Sequence, residues 1–151
     1  MIKQVETKNK KIIARKILEN LTEWFGLPDS REDYINESEQ QTMFCEEENG
    51  VIRGYLCLKE TGKDTLEIAS MGVEKVYHRM GIGKKLFQAA YDYAKANHYS
   101  FIQVKTVIKG KYKEYDSTND FYLSLGFKEF EVIPTLWGEH NPCQIYVIAI
   151  K

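Results

Sequence analysis

The sequence predicts an α/β fold in one domain: a mixed, mostly antiparallel twisted sheet of about six to seven strands flanked by about four helices. Three observations carry that expectation. An Asn49-Gly50 pair between two strand-like runs marks an early β-hairpin. From Thr65 to Val107 a strand, a tight glycine loop, an apolar-striped helix and a β-branched run follow one another as a β-α-β unit. A short helix closed by Gly126 and two further strand-like runs end the chain. A length of 151 residues leaves room for one core, so residues 1–151 are expected to form a single domain.

Each element has its own signal. From Lys10 to Phe25, Ile13, Ile17, Leu18, Leu21, Trp24 and Phe25 recur at helical spacing, and Gly26 and Pro28 end the run. Asp29 to Gln40 is a weaker helix, with Asp29 or Ser30 as cap and Tyr34 and Ile35 as its few apolar anchors. Thr42–Glu47 and Val51–Glu60 flank Glu48-Asn49-Gly50 as antiparallel strands. After the turn Thr61-Gly62-Lys63-Asp64, Thr65–Val73 reads as a largely buried strand in which Gly72 hints at a bulge. Gly83–Asn97 carries Leu86, Phe87, Ala90, Tyr93 and Ala94 on one helical face, and Ser100–Val107 is a strand. Ser117–Leu125 is a short helix, and Phe127–Ile133 and Gln144–Ile150 are the closing strands.

Composition removes several function classes. Lysine and arginine number 21 against 22 acids, a net charge of −1, which gives no general pull toward nucleic acid. No apolar run approaches the ~20 residues of a membrane span, and the start MIKQVETKNKK holds no signal-like stretch, so a cytoplasmic, membrane-free protein is expected. Cys45, Cys57 and Cys143 are odd in number and without paired spacing, as buried free thiols would be. His78, His98 and His140 share no ligand spacing with one another or with the cysteines, so no metal is expected.

The segment from Val73 to Leu86 runs from a strand end into a helix start. Gly81 and Gly83 let the backbone turn its N–H groups toward one point, and the positive end of the following helix aims there too. Lys75, Arg79, Lys84 and Lys85 add four positive charges with no acid between Lys75 and Lys85. Such a loop suits a phosphate, although a tight turn alone also fits. It is not a P-loop, since one residue separates the glycines and Lys84 precedes another lysine. Nor is it a dinucleotide fingerprint, because Leu86 stands where the third glycine belongs.

Taken with Phe121-Tyr122-Leu123-Ser124-Leu125-Gly126-Phe127, this loop resembles the signatures of the GNAT family of acetyl-CoA-dependent N-acetyltransferases. The spacing Tyr115-x-x-Thr118-x-x-Phe121-Tyr122 also looks like one branch of that family. The resemblance covers most of the chain and implies an acyl-CoA N-acyltransferase-like fold. It departs at His78, where the family commonly has Gln or Arg, with Arg79 displaced by one.

The resemblance implies acetyl-CoA as co-substrate and a small-molecule or peptide amine as acceptor, in a monomer or homodimer. Main-chain groups of Met71, Gly72 and Val73 would line the pantetheine arm. His78, Arg79, Met80, Gly81, Ile82, Gly83 and Lys84 would surround the pyrophosphate. Tyr122 would protonate the departing CoA sulfur, unless it is only a core tyrosine; a phenol of pKa ~10 remains protonated at neutral pH. Asn119 would hydrogen-bond the cofactor or occupy a surface position. Glu67, six residues before Val73 and hence on its face by strand alternation, would be the base, or else a solvent-facing acid; Tyr115 and Asp116 are weaker candidates.

Acids outnumber bases eight to one between Asp29 and Glu48, which would draw a cationic acceptor or simply form a solvated helix face. The Trp137 loop would face the acceptor or cover the core. A non-catalytic acyl-CoA-binding sensor or regulatory module is the alternative.

Overall fold

The computed structural model describes residues 1–151. Their order is β1 (Ile2–Gln4), α1 (Thr7–Leu18), α2 (Pro28–Ser38), β2 (Thr42–Glu48), β3 (Val51–Gly62), β4 (Thr65–Val73), α3 (Ile82–Ala96), β5 (Phe101–Val107), α4 (Lys113–Ser124), β6 (Lys128–Ile133) and β7 (Cys143–Ala149), with one 3-10 turn at Lys75–Tyr77. Asn49 and Gly50 both take left-handed φ, 52° and 80°, the geometry a two-residue hairpin needs to match strand twist. That turn pairs β2 with β3, and the next pairs β3 with β4, all antiparallel. Helix α3 then crosses over, so β5 joins β4 in parallel. The sheet has seven strands in the order β1-β2-β3-β4-β5-β7-β6.

One apolar core lies on each face. Leu66, Ile68, Leu86, Phe87, Tyr122 and Tyr146 belong to the core under α3 and α4. Ile17, Leu18, Leu21, Ile35 and Tyr55 belong to the one under α1 and α2. All three cysteines are buried and free, as the sequence suggests. No helix is long and apolar enough to cross a membrane.

One strand adds to the expected set, and three helix boundaries need correction. The strand β1 carries no sequence signal, and it forms by adding Ile2–Gln4 to the edge of β2. The first helix ends at Leu18, not Phe25: the amides of Asn20 and Leu21 bond carbonyls three residues back, and Trp24 and Phe25 close a separate turn on the Leu21 carbonyl. The second helix is entered through Leu27 with Pro28 at its first position, where the missing N–H is harmless; neither Asp29 nor Ser30 caps it. Finally, α4 begins at Lys113, four residues before Ser117, with Glu114 and Asp116 at the positive end of its dipole.

The bulge in β4 is at Ala69, not Gly72. Cys57 faces Ser70 and Leu58 faces Ile68, so Ala69 is skipped, whereas Gly72 pairs in register with Tyr55. Gly72 is instead a close approach, since a Cβ there would lie 2.7 Å from Leu21 Cδ1 and 2.8 Å from Ile17 Cγ2. The extra residue reverses the strand's alternation. Ile68 and, beyond the bulge, Met71 and Val73 pack with the α3-side core, while Ala69 packs with the α1-side core. Glu67 and Val73 therefore lie on opposite faces, contrary to the simple period of two.

Candidate active site

The parallel ladder between β4 and β5 stops at Ile68 and Val104. Beyond it, Lys105, Thr106 and Val107 pair only with β7, and the far half of β4 keeps no partner on that side. A cleft opens between two strands of one sheet. Glu74 donates its amide to the Arg53 carbonyl at 2.9 Å, which fixes the phase of the antiparallel ladder. By its alternation the peptide groups of Met71 and Val73 face the cleft, and those of Gly72 face β3. The expected main-chain role of Gly72 toward a ligand is thus corrected.

At the end of this cleft the chain turns into α3. Gly81 has φ +80° and Arg79 φ +66°, both left-handed. The α3 N-cap is Gly81, which has no side chain to cap with, and the first helical bond is Lys85 N–H to the Gly81 carbonyl at 3.1 Å. Six consecutive main-chain amides, Arg79 through Lys84, donate to nothing within the protein. Orphan amides at a helix start are an anion site. Arg79, Lys84 and Lys85 make no ion pair, whereas Lys75 is engaged by Glu23 at 2.6 Å, so three free cations surround the loop, not four. The same lysine holds the Glu23 carboxyl below its usual range. Gly83 lets α3 approach α4, since a Cβ there would lie 3.0 Å from Phe121 Cζ.

His78 stands apart from this cradle. Its amide bonds the Lys75 carbonyl, and its Nε2 makes a 2.7 Å hydrogen bond to the Val73 carbonyl, as the donor. The ring meets Trp24 edge-on at 6.0 Å. The imidazole braces the end of β4, and the run of free amides starts at Arg79.

Tyr122 is 6% exposed, packed with Phe127 at 5.5 Å and Tyr146 at 6.3 Å between ring centroids. Its hydroxyl has no hydrogen-bond partner in the protein, and it is not among the sealed unpaired polar atoms, which are Gln41 Oε1 and Thr106 Oγ1. A buried tyrosine hydroxyl normally finds a partner. Burial pushes its phenol well above the ordinary value, so it holds its proton across the neutral range. Asn119, by contrast, is wholly buried rather than on the surface. Its amide donates to the Val107 and Tyr115 carbonyls at 2.9 and 2.7 Å, and its Oδ1 accepts the Tyr146 hydroxyl at 2.6 Å. It ties α4 to β5 and β7 rather than offering itself to a ligand.

On the opposite face, Glu67 is 7% exposed and is not the solvent-facing acid that the alternative reading had it. Its Oε1 accepts a 2.7 Å bond from Lys105 Nζ, at the point where β4 and β5 part. Tyr34 of α2 and Cys143 of β7 border the pair; burial raises the phenol of the first and the thiol of the second. Close by, Trp24 Nε1 donates to the Glu114 carbonyl and Thr118 Oγ1, both at 3.1 Å, and the Tyr115 hydroxyl donates to the Trp24 carbonyl at 2.7 Å. The Tyr115 phenol, raised mainly by burial to about 12, is thereby a fastener between α4 and the α1–α2 connection. Trp24 lies beyond the end of α1 rather than on a helix, and the paired spacing Tyr115-x-x-Thr118 is the one trace of this contact in the sequence. Asp116 is likewise engaged, accepting the Gly110 amide at 2.7 Å. Leu136 and Trp137 remain part-exposed in the β6–β7 connection.

A sheet parted between two of its strands, with an anion-binding helix start at one end of the gap, is the architecture of the acyl-CoA N-acyltransferase fold. The chain belongs to the acetyltransferase (GNAT) family, whose model matches residues 13–127. Among solved structures it is similar to an acetyltransferase described as of the GNAT family from Desulfovibrio desulfuricans, with 15% identity, a TM-score of 0.85, and 100% of this chain and 99% of that one covered. It is also similar to the ribosomal-protein-S18-alanine N-acetyltransferase of Escherichia coli, with 19% identity, a TM-score of 0.77 and coverage of 100% and 94%. A third is an acetyltransferase from Salmonella typhimurium solved with its cofactor acetyl-CoA, with 16% identity, a TM-score of 0.73 and coverage of 100% and 94%. No match is found among curated proteins.

Proposed function

We propose that the protein transfers the acetyl group of acetyl-CoA to a primary amine of a small molecule or peptide, by direct attack within a ternary complex. The observation that carries this reading is the run of six unpartnered amides, Arg79 to Lys84, at the mouth of a cleft lined by free peptide groups. That arrangement fits a ligand with a diphosphate at one end and an amide-bearing arm behind it. The Salmonella neighbour, solved with acetyl-CoA, supports the choice of ligand.

In this reading the Arg79–Lys84 amides hold the diphosphate, with Arg79, Lys84 and Lys85 neutralising charge nearby. Met71 and Val73 extend the sheet to the pantetheine arm, and His78 yields the Val73 carbonyl it occupies in the free protein. Acetyl-CoA, when bound, supplies an activated carbonyl with a thiolate leaving group. Glu67, directly or through one water, takes a proton from the acceptor amine. As the C–N bond forms and the C–S bond breaks, Tyr122 gives its proton to the thiolate. Burial keeps the proton on that phenol until the thiolate forms beside it.

The test has two stages. Acetyl-CoA at 100 times its Kd should stabilise the protein by about 2.7 kcal/mol, read as a rise in Tm. Free thiol should then appear when a diamine, an aminoglycoside or a short alanine-initiated peptide is added. No stabilisation by acetyl-CoA refutes the reading. Stabilisation without thiol release from any amine favours the non-catalytic sensor.

A further inference from the structure

The ion pair between Glu67 and Lys105 crosses the sheet where its two halves separate, and the two oxygens of the carboxylate differ. Oε1 is held by Lys105 Nζ at 2.7 Å. Oε2 has no hydrogen-bond partner in the protein and is not among its sealed polar atoms, so solvent reaches it. The glutamate side chain is 9% exposed and the lysine side chain 27%. Burying a carboxylate is costly without an opposite charge in contact, and the ammonium 2.7 Å away is that charge.

We propose that Lys105 is a positioning residue of the transfer reaction, acting through Glu67. It fixes one carboxylate oxygen so that the other stays turned to the opening, and it sets a positive charge against an otherwise enclosed carboxylate. This inference rests on the transfer reading and on Glu67 as its base. The groups facing Glu67 from its surroundings are Lys105 of β5, Tyr34 of α2, Cys143 of β7 and, across the hairpin, Lys59 of β3. The tyrosine and the thiol are both raised by burial and stay neutral in the neutral and acid range. Lys59 is exposed and forms no ion pair, so Lys105 is the cation in direct contact.

The consequence is a shift in pH dependence. Removing the ammonium leaves an enclosed carboxylate without its cation, which disfavours the charged form. The base form is then lost at higher pH as the solution is acidified. With acetyl-CoA and the fastest amine of the panel, the acid limb of kcat/KM should move up by about 1 pH unit in Lys105→Met, a roughly tenfold deficit below the limb that closes toward higher pH. Lys105→Arg should restore the wild-type limb, and Glu67→Gln should remove the feature altogether. The acceptor's own ionisation is common to all four proteins, so differences between profiles belong to the protein.

Lys105→Gln, which keeps a hydrogen-bonding side chain, gives the same readout should the methionine variant fold poorly. A wild-type enzyme that turns over while Lys105→Met and Lys105→Gln keep its pH profile overturns this inference and leaves the transfer reading standing. A protein that binds acetyl-CoA yet acetylates no amine overturns both.

Discussion

Replacing Tyr122 by phenylalanine removes one hydroxyl that bonds to nothing in the protein, while the ring contacts with Phe127 and Tyr146 remain. No internal hydrogen bond is lost, so Tm should stay within about 2 °C. If the hydroxyl is the proton donor, kcat should fall by about 10²–10⁴-fold, or ~3–5 kcal/mol of barrier at 1.36 kcal/mol per decade. The Kd for acetyl-CoA should change little, because the proton is needed only as the thiolate leaves. The neighbouring ring supplies the control. Tyr146→Phe deletes the 2.6 Å bond to Asn119 Oδ1, inside the core, and should cost about 1–3 kcal/mol, or ~2–4 °C for each kcal/mol, with kcat nearly kept. Thiol release with a chromogenic disulfide reads kcat, and thermal unfolding reads stability. The reasoning fails if Tyr122→Phe turns over normally, or if the two variants exchange phenotypes.

Gly81→Val should weaken acetyl-CoA binding, seen by calorimetry, and lower stability by about 1–2 kcal/mol; its φ of +80° is strained for a β-branched residue although no atom lies within 4 Å of the new Cβ. Gly72→Val should lower Tm through overpacking against Leu21 and Ile17, by roughly 1–3 kcal/mol, and a variant as stable as wild type would contradict the close approach of α1. Acid unfolding should depend on Glu46, whose carboxyl the Arg53 guanidinium holds below its usual range. A depressed folded pKa gives stability that is complete above the ordinary carboxylate value of ~4.3 and is lost as pH falls through the folded value. Glu46→Gln should therefore be less stable at neutral pH yet show a shallower decline in urea midpoint below about pH 4.3.

The features legible in the sequence are those set by neighbours along the chain. Asn49-Gly50 determines its hairpin by local backbone preference, and Gly81 with Gly83 marks the strand-to-helix loop for the same reason. The Leu86–Ala94 stripe predicts α3 because one turn buries the same face as the next. What escaped depends on distant partners. Ala69 and Ser70 contain no glycine or proline to advertise a bulge, and Ser70 is drawn toward α1 by a 2.9 Å hydrogen bond from the Tyr55 hydroxyl. Strict alternation without that bulge would put Glu67 and Val73 on one face; the bulge puts them on opposite faces.

The break after Leu18 was hidden because a helix and a following turn can satisfy one apolar spacing; Asn20 Nδ2, bonded to the Glu74 carboxylate at 3.1 and 3.2 Å, draws the chain aside. Similarly, the His78 contact with Val73 and the Lys105 contact with Glu67 join residues whose pairing becomes visible only once the sheet is assembled.

The divided sheet also has a mechanical side. Its two wings, β1 to β4 and β5 to β7, are stitched together by four residue pairs, from Thr65 with Phe101 to Ile68 with Val104. That short seam is a hinge near one end of the spine, and the far end can widen or narrow without breaking a single ladder bond. Amide exchange should thus be slowest along the seam and quicken toward Val73, and a guest lying in the gap would splint one wing to the other.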